Sequence, residues 1–498
     1  MTEIIKFHEK NKVLFSTIQT AEGTYDAPVA TDALAVITVD GSVTTETGSY
    51  EYLGDSLSRD EYSYIQDQYA DFTCETPQQV LGTLNGSLTV AEVPLTNWYQ
   101  ACGGYVTVLA TDLGSFTAGS VFIDNSRISD ELLSIDYRLS TPQDTVNHKL
   151  RKFYDCRGTV DINVTLGDLP KLKFGMKGNS SDPIQAAILT PVFGSQFDNV
   201  VSAVSNRTVV NAEIAERNGT YTTFGGTIST ITRSGNIATV TTAAAHSLGS
   251  NGSIRFVQID GATDSLYNGT FLATIISTTK FIYVMSDVPS ADASASVAFS
   301  AEIGPAAKNF CFSTTDAANF FGFEYSRYKT GCETGFSKKA VPTDVTVSIL
   351  ENLASSVEAT DIVSTTTTAT VTAANHGLVT GNSVTISEVP GTDGDYYNGT
   401  FTVTVTDANI FTITIASYSG HYTSKARVTN NDFLSFDPDS KISQFFGAQV
   451  KFGAAVGKYV TYKWDKLQIK DVKEGKVDSY LGRDITFRNT GRSFLILE

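Results

Sequence analysis

YYNGTFTVTVTDANIFTITI occupies residues 396–415. Phe401, Val403 and Val405 alternate with Thr402, Thr404 and Thr406, Asp407-Ala408-Asn409 interrupts, and Phe411, Ile413 and Ile415 then alternate with Thr412 and Thr414. A period of two puts the apolar side chains on one face of a strand and the threonines on the other. The stretch therefore predicts a β-hairpin with one apolar face, one threonine face and a polar turn. Asn398-Gly399 supplies the positive-φ position of a turn, and Tyr397 before it caps the core.

The motif occurs twice. LYNGTF spans 266–271 and YYNGTF spans 396–401, an offset of 130. The offset holds without a gap from His246/His376 through Phe281/Phe411, and only the Ala-Thr-Val segment before it slips by one residue. The first copy keeps the apolar series as Phe271, Ala273 and Ile275, then Phe281, Tyr283 and Met285. We expect two small β-sandwich or barrel modules, A at 228–300 and B at 360–428, with roughly four to six strands each. His246, Tyr267, Asn268 and Gly269, and their counterparts His376, Tyr397, Asn398 and Gly399, read as the structural motif of the modules. Asp393 to Tyr397, DGDYY, has the paired carboxylates a hard cation favours. The first copy has Thr263-Asp264-Ser265-Leu266 there, so a plain surface loop is expected instead.

The whole chain agrees with a mainly β fold. It has 498 residues, 41% hydrophobic, 11% aromatic and 18% charged, with 39 glycines, which is room for several domains rich in strands and turns. A net charge of -17 argues against a reader of nucleic-acid sequence, which needs lysine and arginine against phosphate. Cys74, Cys102, Cys156, Cys311 and Cys332 form no C-x-x-C pair and are odd in number, so neither a zinc site nor a disulfide framework is expected. No signal peptide and no apolar run long enough to span a membrane is seen. G-x-S-x-G, H-E-x-x-H and P-loop patterns are missing, and His8, His148, His246, His376 and His421 are scattered. We expect no enzyme and no cofactor.

Outside the modules, VPLTNWYQACGG (93–104) predicts a short helix, with Leu95, Trp98, Tyr99 and Cys102 at helical spacing and Gly103-Gly104 as its stop. LLSIDYRLS (132–140) alternates, and GTVDINVTLGDLPKLKFGMKGN (158–179) predicts two strands around a Gly-Asp turn. Taken in order, AEGTYDAPVATDA (21–33), SRDEYSYIQDQY (58–69), EVPLTNWYQACGG (92–104), that strand pair, and FFGAQVKFGAAVGKYVTYKWDKLQIKDVKEG (445–475) resemble the tail tube (major tail) proteins of long-tailed bacteriophages. The modules resemble one that recurs in phage structural proteins, copy B more closely through Asn375-His376-Gly377-Leu378.

The resemblance implies a tail-tube β-sandwich or barrel domain with a short flanking helix, assembling into stacked rings around a channel. It also implies a tape measure protein and a tail terminator as partners, assembly in the host cytoplasm, residence in the virion tail, and DNA passing without sequence-specific binding. One such domain is smaller than the host, and KFYDCRGTVDINVTL (152–166) resembles KFGAAVGKYVTYKW (451–464). We therefore expect a duplicated tube domain: copy 1 at 1–190, a linker or arm at 191–227, and copy 2 at 301–359 plus 429–498. Six domains then close as a homotrimer rather than a homohexamer, with the modules pointing outward.

Eight acids and one base, Arg59, lie between Thr44 and Val80, in the region the family uses as a long ring-stacking loop. We expect Asp55, Asp60, Glu61, Asp67 and Asp71 there to meet a basic rim carrying Lys458, Lys463, Lys466, Lys470 and Lys473. The alternative is a virion decoration or tail-fibre-like protein binding cell-surface carbohydrate through aromatic side chains such as Tyr396, Tyr397, Tyr418 and Tyr422.

Overall fold

The computed structural model describes residues 12–53, 59–82, 84, 86–113, 116–125, 131–141, 144–164, 168–192, 209–217, 221–222, 227–246, 248–249, 251–293, 298–302, 308–309, 318–321, 326–330, 333–337, 343–350, 356–374, 376, 378, 380–407, 409–430, 444–477 and 480–498. The fold is mainly β, and the described residues contain two short α-helices. The host contributes two large antiparallel sheets. The first runs Ala33–Leu34, Lys12–Ile18, Leu133–Thr141, Asp144–Asn163, Lys171–Ser180, Arg59–Pro77, Thr38–Leu53. Ile184–Ala187 and Ala318–Phe321 also pair Asp144–Asn163. The second runs Lys308–Asn309, Val209–Arg217, Phe445–Gly453, Tyr459–Val477, Ser493–Leu497, Val121–Asp124, Tyr105–Val108. Tyr480–Asn489 adds to Tyr459–Val477, and Thr343–Leu350 pairs Tyr480–Asn489 in turn.

The predicted local elements form. Lys171–Ser180 buries Leu172, Phe174 and Met176 at every second position, and Leu133–Thr141 pairs Asp144–Asn163 antiparallel. The helix spans Thr96–Ala101, and the chain leaves it through Gly103 at φ 88°. Trp98 packs on Phe174 with ring centroids 5.1 Å apart, and its indole N–H donates to Ser16 Oγ at 2.8 Å. Each apolar ring buried this way contributes about 1.5–3 kcal/mol.

One hydrophobic core joins both sheets: Phe72, Phe153 and Phe174 of the first meet Val450, Tyr462 and Leu495 of the second. This corrects the duplicated-domain expectation. Tyr105–Val108 and Val121–Asp124, from the stretch assigned to copy 1, belong to the second sheet beside Ser493–Leu497, while Ala318–Phe321 belongs to the first. Each sheet turns an apolar face to the other, so the assigned copies share a core instead of each making its own. The supposed linker includes Val209–Arg217, a strand of the second sheet with Ala212 and Ile214 buried. The 152–166 and 451–464 segments are also unlike. Residues 152–163 of the first lie in one continuous strand with a bulge at Asp155, φ 53°, whereas the second is a hairpin turning between Gly453 and Tyr459.

The modules share one strand order. Module A runs Tyr221–Thr222, Ala298–Glu302, Ile254–Asp260, Gly269–Ser277, Lys280–Val284, Ile237–Thr242, Ile228–Ser234. Module B runs Ser356–Ala359, Ala426–Asn430, Ser383–Ser387, Gly399–Val405, Ile410–Thr414, Thr368–Thr372, Asp361–Ser364, with Gly420–Tyr422 beyond. Each has its own core, and each includes a first strand that lies before the predicted boundary. The predicted hairpin forms with Val403 opposite Ile413 and Val405 opposite Phe411. The gap-free alignment needs one correction: Gly269 pairs Ile259 but Gly399 pairs Ile386, so this strand corresponds at an offset of 386 − 259 = 127. Module B spends the difference on a seven-residue helix, Gly391–Tyr397, where module A has the three-residue turn Ser265–Tyr267.

Candidate assembly surfaces

Thr38–Leu53 and Arg59–Pro77 form a hairpin in register from Thr38↔Glu75 to Leu53↔Arg59. Only Ala70–Pro77 also pairs the body, against Gly178–Lys171. Beyond that, among the described residues, Thr44–Leu53 and Arg59–Tyr69 pair only each other, an arm of roughly 30 Å at about 3.3 Å per residue. The acidic stretch expected as a loop is therefore a hairpin, because its alternating tyrosine, serine and threonine suit strands. Asp60 stands opposite Tyr52 in register, Glu61 opposite Glu51, and Asp67 opposite Glu46. Asp71 lies at the base, accepting from Thr44 Oγ1 at 2.8 Å with Lys177 Nζ at 4.0 Å. Asp55 lies outside the described residues.

The lysines do not make one rim. Lys458 is exposed in the turn before Tyr459–Val477, and Lys466 Nζ sits 4.5 Å from the Phe445 ring centroid. Lys470 pairs with Asp344, and Lys473 lies 3.1 Å from Asp471. Lys463 is buried, which corrects its place on a surface rim. Strand geometry separates Lys458 from Lys473 by about 50 Å.

Lys463 instead joins the host to module A. Its Nζ donates to Leu272 O at 2.9 Å and Thr274 Oγ1 at 2.7 Å, and burial pushes its pKa down to about 7, with Asp465 opposing the shift. Nearby, Glu213 accepts from Ile254 N at 3.0 Å and Ser253 Oγ at 3.3 Å, and burial raises its pKa to about 7. Gln449 Nε2 donates to Gly252 O at 2.6 Å, and Asn236 Nδ2 donates to Asp124 Oδ2 at 2.7 Å. Ile237, Ile276, Ile282 and Val284 of the module pack against Phe116, Phe122, Phe494 and Ile496. Gly447 admits the module closely: a Cβ there would lie 2.6 Å from Leu272 Cδ2. Module A is thus docked on the outer face of the second sheet.

Sequence reasoning missed this interface, although a signal was present. Module B keeps Thr402, Thr406, Thr412 and Thr414 on the second face of its hairpin, whereas module A has Leu272, Ile276, Ile282 and Val284. Exposure leaves module B's face polar; docking makes module A's apolar.

The repeated motif is structural in both copies. Asn268 Oδ1 accepts from Ala262 N at 2.9 Å while its Nδ2 donates to Ala262 O at 2.8 Å; Asn398 does the same with Val389 at 3.1 and 2.8 Å. The side chain thus imitates one step of a β-ladder. Gly269 and Gly399 follow at φ 138° and 153°. Tyr267 is buried and donates to Ala291 O at 2.7 Å, and Tyr397 donates to Gly420 O at 2.9 Å. His246 Nδ1 accepts from Leu248 N at 3.2 Å and His376 Nδ1 from Leu378 N at 3.0 Å, each ring edge-on to Phe281 or Phe411. Burial lowers both histidine pKa values.

Asp393 lies in the Gly391–Tyr397 helix and accepts from the Tyr418 hydroxyl at 2.6 Å. No group of three or more His, Cys, Asp or Glu among the described residues could hold a metal ion. Of the tyrosines in the carbohydrate alternative, Tyr397 is core, and Tyr396 and Tyr418 stack on each other at 4.0 Å. Among the described residues no helix is long and apolar enough to cross a membrane. Compared with protein-family models and with curated proteins, the chain matches none.

Proposed function

We propose that this chain is a structural subunit of a phage tail tube, closing into rings that stack around a DNA-conducting channel. The hairpin arm carries the reading. An isolated two-stranded hairpin is marginal in water. Among the described residues no other strand pairs the arm beyond its base, and in this reading the adjacent ring covers it. In this reading the first sheet lines the channel, because module A occupies the outer face of the second. Two of its lysines stand beside carboxylates, Lys177 by Asp71 and Lys171 by Asp168, which weakens their hold on phosphate. The two large sheets share one core, which counts as one tube domain per chain, so in this reading a ring of six domains is a homohexamer.

Negative-stain microscopy of the purified full chain tests this. Rings or tubes with a central hole are expected, and Asp60→Lys with Glu61→Lys leaves rings that no longer stack. Monomers or elongated fibres from the unaltered chain would refute the proposal.

A further inference from the structure

We infer that the strip at residues 184–192 is the surface through which one copy of this chain meets the next within a ring. The inference rests on the reading of the chain as a self-assembling subunit. Ile184–Ala187 pairs Asp144–Asn163 along one edge, and among the described residues nothing pairs its other edge. The chain then runs on beside two other segments: Ile188 N donates to Val146 O at 3.1 Å, and Val192 N to Ala30 O at 2.9 Å. This brings five exposed apolar residues into one strip: Val29 at 57%, Val146 at 67%, Ile184 at 46%, Ile188 at 38% and Val192 at 51%.

Exposed edge strands are ordinarily blunted by charge, because an open apolar edge recruits another strand. The outer Thr38–Leu53 strand follows that rule with Asp40, Glu46 and Glu51. IQAAILTPV, 184–192, carries no charge at all. A contiguous exposed apolar strip marks an interaction surface. Its lack of charge points away from a partner held by electrostatic complementarity. It lies in the first sheet, the sheet that also carries the arm proposed to meet another copy. A second copy is the occupant that fits: it is made wherever the chain is made, in matching number, so the edge is covered before it aggregates.

The test is Ile184→Lys with Ile188→Lys in the full chain, followed by light scattering and microscopy, with Val456→Lys as a control at an exposed apolar residue elsewhere. The double variant is expected to lose lateral assembly and run at single-chain mass with unchanged circular dichroism, while the control assembles normally. Hydrogen exchange on the unaltered protein is independent of variant folding: the amides of Gln185 and Ala187, which face the open edge, are expected to slow at least tenfold in the assembled state. Normal assembly of the double variant, or unchanged exchange, overturns the inference, as does a wild-type chain that stays monomeric. A wild-type dimer that forms no ring and is lost in the double variant upholds the strip and refutes the tail-tube reading.

Discussion

Replacing Ile282 by threonine gives module A the residue that module B carries at Thr412. Ile282 is 2% exposed and packs in the cluster with Phe122 and Ile496. The change removes about two buried carbon groups, costing about 1.6 kcal/mol, and leaves a hydroxyl in an apolar interface at about 1–3 kcal/mol more. The expected loss is about 3–4 kcal/mol, a large share of a typical stability of about 5–15 kcal/mol. Thr412→Ile, on the uncovered face of module B, is expected within about 0.5 kcal/mol of neutral. Hydrogen exchange along residues 269–284 and 399–414, over a denaturant series, reads the two modules separately. Equal and small effects at the two sites would show that module A is not held to the second sheet through this face.

The contributions of Lys463 and Glu213 to stability together are expected to pass through a minimum near pH 7. Lys463, at about 7 when folded against 10.5, binds fewer protons folded than unfolded, so stability rises from pH 7 to 10.5. Glu213, at about 7 against 4.5, binds more protons folded, so stability falls from pH 4.5 to 7. The limiting slope is about 1.4 kcal/mol per pH unit for each; Lys463→Met is expected to flatten the alkaline limb and Glu213→Gln the acid limb in denaturant titrations. Asn398→Ala removes both bonds to Val389 and is expected to cost about 2 kcal/mol, read as faster exchange in module B, with Asn398→Asp costing less because the acceptor remains.

The local code was strongly legible. The Phe401–Ile415 alternation, the Trp98 helix and the Leu172-Phe174-Met176 strand are each decided by short-range spacing, and the structure repeats them. The repeat was legible because Asn268 and Asn398 each perform one local task, bonding to the end of the neighbouring strand. The three-residue slip between the modules is hidden in the sequence because the summed connections are equal: module B is shorter before Ser383–Ser387 and longer after it.

By itself, then, the sequence determined that the chain is mainly β, where two modules repeat, and which face of the module B hairpin is apolar. Only the tertiary structure decided that Lys463 and Glu213 are buried, that module A docks while module B keeps its threonine face uncovered, and that distant host segments share one core. The physical reason is range. Periodicity records which side of a strand avoids water, but what covers that side is chosen by strand pairings hundreds of residues apart, such as Ser493–Leu497 with Val121–Asp124.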